Sequence, residues 1–368
     1  MLAAPDDRSM DSRWMAKALR LAELGLYGTS PNPRVGCVLV ADGQCVGSGW
    51  HRRAGEPHAE IHALREAGEA ARNATAYVTL EPCSHHGRTP PCADALIAAG
   101  VARVVVAVQD PNPAVAGAGI ARLRAAGIEV DIGLMEADAT VLNRGFFKRM
   151  TLGSPWLRSK IAISLDGRTA LANGASKWIT GAAARLDVQH WRARSCAVLT
   201  GIGTVLADDA RLNVRDIETE RQPLRVVLDS RLRMPPAARM LQDGNTLIYT
   251  ASNDPGRIAA LETAGASVHV LADENGQVDL LAMLRDLAQR GSNEVLLEAG
   301  RTLNGALLRA GLVDELLLYA APQLLGDSAR GMAQLGELTA LDQRIDLKWQ
   351  DVRQVGNDLR ITVKVEHV

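Results

Sequence analysis

The chain of 368 residues is long for a single hydrophobic core and suits two domains. Its composition, with 47% hydrophobic and 23% charged residues, is typical of a globular protein. The formal net charge of −1 gives no basic surface for polyanions, and no apolar run is long enough to span a bilayer.

The N-terminus and the cysteines indicate the compartment. Residues 1–13 are polar and carry several aspartates, which is unlike a signal peptide. Five cysteines, an odd number without a secretory context, indicate thiols or metal-bound thiolates rather than disulfides. We therefore predict a cytoplasmic protein that has no membrane partner.

The first half of the chain predicts strands and helices in the order β-β-α-β-α-β-α-β, after an initial helix over residues 10–26. The first two strands flank Asp42–Gly43, a dipeptide typical of hairpin turns. This order indicates a three-layer α/β/α domain, which we place at residues 1–150. The predicted strands cover 35–40, 45–50, 76–80, 103–108 and 128–132, and the helices cover 58–71, 94–99 and 119–126.

Residues 56–92 hold the densest group of potential metal ligands in the sequence. His58 and Glu60 form a His-x-Glu pair at a predicted helix start, Cys83 follows a strand, and Cys92 lies further on. A His/Cys/Cys set leaves the fourth position of tetrahedral zinc open for water, as in catalytic sites, and lowers the pKa of that water toward about 7. We therefore predict a Zn²⁺ site with Glu60 as the group that moves protons.

Other histidines in this segment are weaker candidates for the metal. His58 and His62 have the spacing of a metalloprotease pair, but Ala59 stands where that motif requires glutamate. His85 and His86 remain rival ligands. A fourth protein ligand would close the site and make the zinc structural.

The second half predicts another α/β pattern, which begins after a linker at 149–156 and gives a domain at residues 151–368. Glycine-bearing turns at 201–204 and 298–304 follow predicted strands and are of the kind that bind phosphate. The first turn is not a Rossmann fingerprint, because Leu206 replaces the third glycine. The predicted strands cover 157–164, 197–200, 224–228, 246–249, 267–271, 294–297, 315–320, 346–354 and 359–366, and the helices cover 182–193, 280–289 and 303–310.

The His-x-Glu and Pro-Cys residues resemble the signature of zinc nucleobase deaminases. Cytidine and tRNA-adenosine deaminases usually place two residues between the cysteines, whereas Ser-His-His-Gly-Arg-Thr-Pro-Pro separates them here. That insert, with Thr-Ser-Pro-Asn-Pro-Arg-Val-Gly at 29–36 and Ala-Gly-Glu-Pro-His-Ala-Glu at 54–60, resembles the deaminase domain of the bifunctional riboflavin-biosynthesis deaminase–reductase family. The resemblance implies a cytidine-deaminase-like fold for residues 1–150.

This resemblance also implies roles for the matching residues. His58, Cys83 and Cys92 would hold the zinc, and Glu60 would pass a proton to the ammonia that leaves. Asp110 stays open between a substrate contact and a turn residue. Basic donors in the loop between the cysteines would suit a phosphate ester. The implied substrate contacts are Asn32, His51, His85 and Arg88.

Four segments of the second half, at 160–170, 176–180, 204–209 and 298–305, resemble the reductase domain of the same family. That domain has a dihydrofolate-reductase-like fold, which implies a second three-layer α/β/α domain, and it uses NADPH. The implied dinucleotide contacts are Ala162, Trp178, Thr204, Asp208, Gly300, Arg301, Thr302 and Leu303. The implied substrate contacts are Lys160, which would polarise the opened ribose, Arg192 and Arg215, which would bind its phosphate, and Ser176, Leu212 and Glu298.

The resemblance implies an enzyme with two consecutive steps. Zinc-dependent hydrolysis would remove an amino group from 2,5-diamino-6-ribosylamino-4(3H)-pyrimidinone 5′-phosphate, a small phosphorylated pyrimidine. NADPH-dependent reduction would then convert the ribosyl side chain to ribityl, and the family implies a homo-oligomer. Two alternatives are a zinc deaminase acting on nucleic acid through a C-terminal binding module, which the balanced charge disfavours, and a non-enzymatic zinc protein.

Overall fold

The structure is a computed structural model that describes residues 7–84, 91–113 and 115–366. The chain divides into two compact units, Met1–Gly153 and Ser154–Val368. No helix in the described ranges has both the length and the apolar character needed to cross a bilayer.

The described part of the first unit contains a five-stranded mixed sheet and its helices. The helices are α1 (Asp7–Glu23), α2 (Ala59–Ala67), α3 (Cys92–Ala99), α4 (Ala118–Ala125), α5 (Glu136–Leu142) and α6 (Arg144–Leu152). The strands are β1 (Gly36–Ala41), β2 (Gln44–Trp50), β3 (Thr75–Val78), β4 (Arg103–Val106) and β5 (Glu129–Ile132). Their order in the sheet is β2-β1-β3-β4-β5, with β1 antiparallel to both neighbours and β3, β4 and β5 parallel.

The first hairpin is confirmed. Ala41 pairs with Gln44, so Asp42 and Gly43 form a two-residue turn. Both turn residues have positive φ, 50° and 70°, which a hairpin turn of this length requires and which Asp-Gly tolerates.

Helices cover both faces of this sheet. Val38 and Val40 of β1 pack with α1, α5 and α6, whereas Cys37 and Leu39 pack with α2, α3 and α4. Successive strand residues point to opposite faces, so one strand serves two cores. The predicted three-layer arrangement of this domain is confirmed.

Two glycines in β2 let α2 lie close to the sheet. A Cβ atom on Gly49 would lie 2.5 Å from the backbone oxygen of Ala59, and one on Gly47 would lie 2.3 Å from that of Ala63. A larger side chain at either position would push α2 outward. Because α2 begins directly after His58, this close packing also sets the position of the His-x-Glu residues.

The described part of the second unit contains a nine-stranded sheet and a two-stranded ribbon. The strands are β6 (Trp156–Ser164), β7 (Arg168–Ala170), β8 (Ala197–Gly201), β9 (Leu224–Leu228), β10 (Thr246–Thr250), β11 (Ala266–Val270), β12 (Glu294–Leu297), β13 (Glu315–Ala321), β14 (Arg330–Gly331), β15 (Leu347–Val355) and β16 (Asp358–Val365). The helices are α7 (Ala182–Arg194), α8 (Ile202–Asp208), α9 (Pro255–Thr263), α10 (Leu280–Gln289) and α11 (Arg301–Arg309).

The large sheet has the order β11-β10-β9-β8-β12-β6-β13-β16-β15. Neighbouring strands run parallel from β11 to β13, so their carboxyl ends lie along one edge of the sheet. The last two strands are antiparallel, and the predicted Gly356–Asn357 turn joins them. In open sheets of parallel strands, ligands bind outside the carboxyl ends.

Helices cover both faces of the large sheet as well. Leu199 of β8 packs with Met283 and Leu307 of α10 and α11, whereas Val198 packs with Val205 and Leu261 of α8 and α9. The second three-layer domain is therefore confirmed. The sequence analysis does not predict α5, α6, α8, α9, β7 or β14. Its linker at 149–156 is wrong over the first part, because α6 continues to Leu152 and ends at Gly153.

A buried ionic cluster lies between α7 and the large sheet. Arg158 of β6 is 1% exposed, and its guanidinium donates to Glu315 and, at 3.1 Å, to Glu294. It also lies over the Trp191 ring, 4.5 Å from the ring centroid. Arg194 pairs with Glu294 at 2.8 Å. Burial alone would lower the pKa of Arg158, but the two carboxylates outweigh it and raise that pKa, so the side chain stays charged.

Candidate active sites

The predicted zinc ligands come together at the start of two helices. His58 precedes α2, and its Nδ1 lies 3.3 Å from the Cys92 sulfur and 3.6 Å from the Cys83 sulfur. Cys92 is the first residue of α3. The three donor atoms lie within 4.8 Å of one another, which fits one imidazole and two thiolates around a single zinc ion.

The surroundings of the Cys83 sulfur favour a thiolate, which is the form that binds metal. Hydrogen bonds from the Cys92 thiol, the His58 ring and the Cys92 backbone N–H outweigh burial and lower the pKa of Cys83 to about 4. The backbone N–H of Cys92, at the first turn of α3, lies 3.3 Å from the Cys83 sulfur. The bond to Cys83, together with burial, raises the pKa of Cys92.

Glu60 lies in the first turn of α2, beside the metal ligands, and is 3% exposed. Its Oε2 atom has no hydrogen-bond partner within the described residues. Burial raises the pKa of Glu60, although the nearby His58 opposes this shift. A buried carboxylate oxygen without a protein partner is available to a water molecule or a substrate.

Asn32 and His51 form a hydrogen-bonded pair next to the metal ligands. The His51 ring lies edge-on to the His58 ring, 5.2 Å between centroids. Burial lowers the pKa of His51, so the ring is neutral at physiological pH. Its Nδ1–H donates to the Pro57 carbonyl at 3.2 Å, so Nε2 accepts from the Asn32 amide at 3.1 Å. The hydrogen bond between the two side chains therefore has a fixed direction: the Asn32 amide N–H donates and His51 Nε2 accepts.

Glu81 belongs to this site, but the sequence analysis assigns it no role. Its buried carboxylate accepts hydrogen bonds from the backbone N–H groups of Gly117, Gly119, Ile120 and Asp110, at 2.9 to 3.2 Å. All of its donors lie about 30 residues or more along the chain, so no local pattern indicates them. The carboxylate ties the segment that leads into Cys83 to the start of α4.

Replacing Glu81 with glutamine is expected to weaken zinc binding by at least about tenfold and destabilise the protein by about 1–3 kcal/mol, because buried N–H groups lose acceptors. Competition with a chromophoric chelator and thermal unfolding would measure the two effects. Glu66 offers a matched control, since its exposed carboxylate accepts from the Ser48 N–H at 2.9 Å. Wild-type zinc affinity in E81Q would show that Glu81 does not position the site.

Four further residues of the first unit complete the comparison with the sequence predictions. Asp110 accepts a bond from the backbone N–H of Asn112 at 2.8 Å, a contact of the turn type. His85, His86 and Arg88 lie outside the described residues. Their roles as ligands or substrate contacts therefore stay predictions.

The second unit contains a cleft of about 2460 Å³ along the carboxyl ends of the parallel strands. Every residue that the resemblance assigns to the dinucleotide or to the substrate of this domain lines it. These residues are Lys160, Ala162, Ser176, Trp178, Arg192, Thr204, Asp208, Leu212, Arg215, Glu298, Gly300, Arg301, Thr302 and Leu303. Their individual roles are not tested by this placement, but they share one cavity large enough for a dinucleotide and a second ligand.

Lys160, Arg192 and Glu298 form a largely buried triad in this cleft. Arg192 donates from Nε and Nη2 to the two Glu298 oxygens at 2.5 and 3.0 Å, and from Nη1 to the Asn213 carbonyl. Lys160 Nζ lies 4.0 Å from Glu298. This geometry commits Arg192 to a protein carboxylate, whereas Arg215, with a side chain 55% exposed, remains accessible to a phosphate.

The pKa values of all three members of the triad are shifted. For Arg192, burial alone would lower the pKa, but Glu298 outweighs burial and raises it. Burial lowers the pKa of Lys160, and Glu298 only partly offsets this effect. Burial alone would raise the pKa of Glu298, but Arg192 and Lys160 outweigh it, so that pKa is lowered. An ionised carboxylate next to an easily deprotonated amine can orient a substrate and exchange a proton with it.

The lowered pKa of Glu298 gives a pH-dependent contribution to stability. The contribution is fully present above 4.5, the ordinary glutamate value, and is lost as pH falls through the lower folded value. At neutral pH, E298Q is expected to lose about 3 kcal/mol, because it leaves two buried cations without their carboxylate. Urea unfolding at a series of pH values should show that the difference in unfolding free energy between the wild type and E298Q narrows below about pH 4.5. A difference that stays constant as the pH falls below this value would contradict a lowered pKa of Glu298 in the folded protein.

Two different sites on two α/β/α units define the class of protein: a metal-dependent deaminase joined to a dinucleotide-dependent reductase. The family model for the cytidine and deoxycytidylate deaminase zinc-binding region matches residues 8–108, and that for the RibD C-terminal domain matches residues 155–361. The riboflavin biosynthesis protein RibD of Escherichia coli K12 is 52% identical over 361 residues, which cover 95% of this chain and 98% of that protein.

Solved structures agree over nearly the whole chain. Acinetobacter baumannii RibD, form 1, has a TM-score of 0.92 at 49% identity and covers 98% of this chain and 100% of its own. The diaminohydroxyphosphoribosylaminopyrimidine deaminase/5-amino-6-(5-phosphoribosylamino)uracil reductase of Thermotoga maritima has a TM-score of 0.86 at 32% identity, with coverage of 98% and 100%. The chain belongs to the family of riboflavin biosynthesis protein RibD, a bifunctional deaminase and reductase.

Proposed function

We propose that this chain catalyses two successive steps on one small phosphorylated pyrimidine. Residues 1–150 deaminate 2,5-diamino-6-ribosylamino-4(3H)-pyrimidinone 5′-phosphate by hydrolysis, with zinc as cofactor. Residues 151–368 then reduce the ribosyl side chain to ribityl, with NADPH as cofactor. The family membership and the two sites support this assignment.

In the first step, His58, Cys83 and Cys92 would hold the zinc, which would act as a Lewis acid and make water nucleophilic at neutral pH. Glu60 accepts the proton of the attacking water on its unpartnered Oε2 and delivers it to the amino group, which leaves as ammonia. The Asn32 amide, held by its histidine neighbour, orients the pyrimidine ring. His85 and Arg88 are proposed to contact the ribose phosphate.

In the second step, the cleft would hold NADPH, which would supply the hydride for the ribosyl C1′, and the cleft residues provide orientation and charge. The C1′–O4′ bond of the ribose breaks and the hydride adds to C1′. Lys160 hydrogen-bonds the ring oxygen and donates the proton that converts this oxygen to a hydroxyl group. Glu298, fixed by Arg192, accepts from ribosyl hydroxyl groups. Arg215 binds the phosphate, because its planar donors match phosphate oxygens.

One observation carries the proposal: the same chain contains a His/Cys/Cys donor set beside a buried carboxylate and a cleft lined by every residue assigned to reduction. The test supplies the phosphorylated diaminopyrimidine with and without NADPH. Ammonia should appear without NADPH, and NADPH oxidation should begin only after ammonia release. NADPH oxidation that precedes ammonia release would reverse the order of the steps.

A deaminase that acts on nucleic acid is not favoured, because the second unit matches the RibD C-terminal domain rather than a binding module. Ammonia release from single-stranded DNA or RNA, and none from the pyrimidine, would revive that alternative. We also propose a cytoplasmic homo-oligomer, on the strength of the family resemblance. Light scattering of the purified protein would measure its mass.

A further inference from the structure

We propose that Asn143 and Arg149 are positioning residues for deamination, because they hold the loop that carries Asn32. The inference rests on the proposed deaminase function and on the proposed contact between Asn32 and the pyrimidine. Asn143 joins α5 to α6, and Arg149 lies in α6. Both residues fall between the stretches that the two family models match, 8–108 and 155–361, and the family resemblance implies no role for either.

The loop that carries Asn32 has no regular secondary structure of its own. It covers residues 24–35, between the end of α1 and the start of β1. Within it, the Asn32 N–H donates to the Thr29 carbonyl at 2.8 Å. Further on, Arg34 is only 5% exposed. Buried backbone N–H and C=O groups need hydrogen-bond partners, and for Arg34 these partners come from a distant part of the chain.

Asn143 supplies the partners for the backbone of Arg34. Its Oδ1 accepts from the Arg34 N–H at 2.8 Å, and its Nδ2 donates to the Arg34 carbonyl at 2.8 Å. One side-chain amide thus binds both backbone groups of a single residue, as a neighbouring β-strand would. Asn143 is 2% exposed, and hydrogen bonds withdrawn from water are electrostatically stronger. The two bonds fix the chain two residues after Asn32.

Two arginines add bonds on either side of Asn32. Arg34 Nη1 donates to the carbonyl of Leu142, the last residue of α5, at 2.7 Å. Arg149 Nη2 donates to the Pro31 carbonyl at 2.9 Å. Pro31 directly precedes Asn32, so the contacts from α5 and α6 hold the chain both before and after this residue.

The support is anchored in the core of the first unit. Phe146 of α6 is 7% exposed and belongs to the same buried cluster as Trp14 of α1 and Val38 of β1. At the other end, the Asn32 amide donates to His51 Nε2 at 3.1 Å, beside the metal ligands. A substrate contact misplaced by about 1 Å can cost about 100-fold in rate. We therefore expect α5 and α6 to be part of the deaminase machinery rather than a passive connection.

The test measures the kinetics of ammonia release from the phosphorylated diaminopyrimidine by the full-length protein. It compares the wild type with N143A, R149A and R149K, and it repeats N143A and R149A in an N32A background. The matched control is R124A, because Arg124 of α4 also donates to a backbone carbonyl, that of Val130 in β5, at 3.0 Å. Zinc content and reduction of the deaminated pyrimidine are measured for every variant.

Both N143A and R149A should raise KM for the pyrimidine by at least about fivefold and change kcat by less than about threefold, because the contact made by Asn32 binds the substrate before the reaction. R149K keeps a donor and should recover most of the lost affinity. Zinc content and the reductase rate should match the wild type. In the N32A background, N143A and R149A should raise KM by less than about twofold, since the contact that they position is already absent.

Two results would overturn the inference and leave the deaminase function intact. One is a KM in N143A and R149A that matches the KM of R124A. The other is an equal rise in KM with and without Asn32, which would assign the effect to general stability. If N143A does not fold, R149A and R149K decide between these results. A wild type that releases no ammonia from the pyrimidine would overturn the proposed function as well.

Discussion

Replacing Glu60 with glutamine is expected to slow deamination by about 10²- to 10⁴-fold, the usual contribution of a positioned proton carrier. The amide has nearly the shape of the carboxylate but cannot accept and return a proton. We propose that the buried Oε2, which has no partner in the described chain, is the atom that does so. Ammonia release from the phosphorylated diaminopyrimidine, under single-turnover and steady-state conditions, measures the loss.

Two controls separate this effect from damage to the site. E60Q should retain zinc at wild-type stoichiometry, because His58, Cys83 and Cys92 are untouched. It should also reduce the deaminated pyrimidine with NADPH at the wild-type rate, because that reaction is assigned to the second unit. Deamination within threefold of wild type would assign the proton transfer to another group.

Replacing Arg158 with methionine is expected to destabilise the protein by about 3–5 kcal/mol, the usual cost of removing one partner from a buried ion pair. Glu294 and Glu315 are both 1% exposed and lose the cation that they share. The Trp191 ring also loses a stacked guanidinium. Urea unfolding followed by tryptophan fluorescence measures the change.

A surface ion pair provides the matched comparison. The Arg344–Asp346 pair has a similar distance, 2.8 Å, but both side chains are about half exposed. R344A is therefore expected to cost less than about 1 kcal/mol. The double variant R158M/E315L should recover part of the R158M loss, because it removes a carboxylate with its cation. A loss below 1 kcal/mol in R158M would show that the cluster adds little to stability.

The sequence predicts the layers of this fold because its strands and helices have clear periodicity. Each predicted strand of the large sheet overlaps an observed one, and the helix predicted at 280–289 is observed over those residues. The missed helix α9 begins with Pro255-Gly256, a dipeptide that usually marks a turn. The start of α9 could nevertheless have been predicted, since Asp254 is a good N-cap residue and proline suits the first helical position.

The metal donor set could be predicted because it lies in two short motifs, and each motif fixes its own local geometry. The support for those motifs could not be predicted in the same way. Glu81 binds backbone groups that no side-chain pattern identifies. Arg158 lies in β6, and its two glutamates are more than 130 residues away. Contacts of that range become visible only when the sheet order is known.

The predicted phosphate role of Arg192 illustrates a second limit. Sequence identifies a basic side chain near a substrate, but it does not show whether a protein carboxylate occupies that side chain. The structure pairs Arg192 with Glu298 through two hydrogen bonds. The positive charge of Arg192, which the sequence analysis assigns to the substrate phosphate, therefore holds Glu298 in place within the protein.

The single proton on His51 has a consequence for which pyrimidines can enter the first site. Because the Pro57 carbonyl holds that proton on Nδ1, the Asn32 amide must turn its nitrogen to the ring and its oxygen away from it. The amide group cannot turn over to present its NH₂ group at this position, so only the oxygen, an acceptor, is available there. With Asn32 as the proposed pyrimidine contact, a nucleobase that offers an N–H to this oxygen is expected to bind, and an analogue methylated at that nitrogen is expected to be rejected. The tautomer of His51, rather than the shape of the site, would then determine which substrates bind.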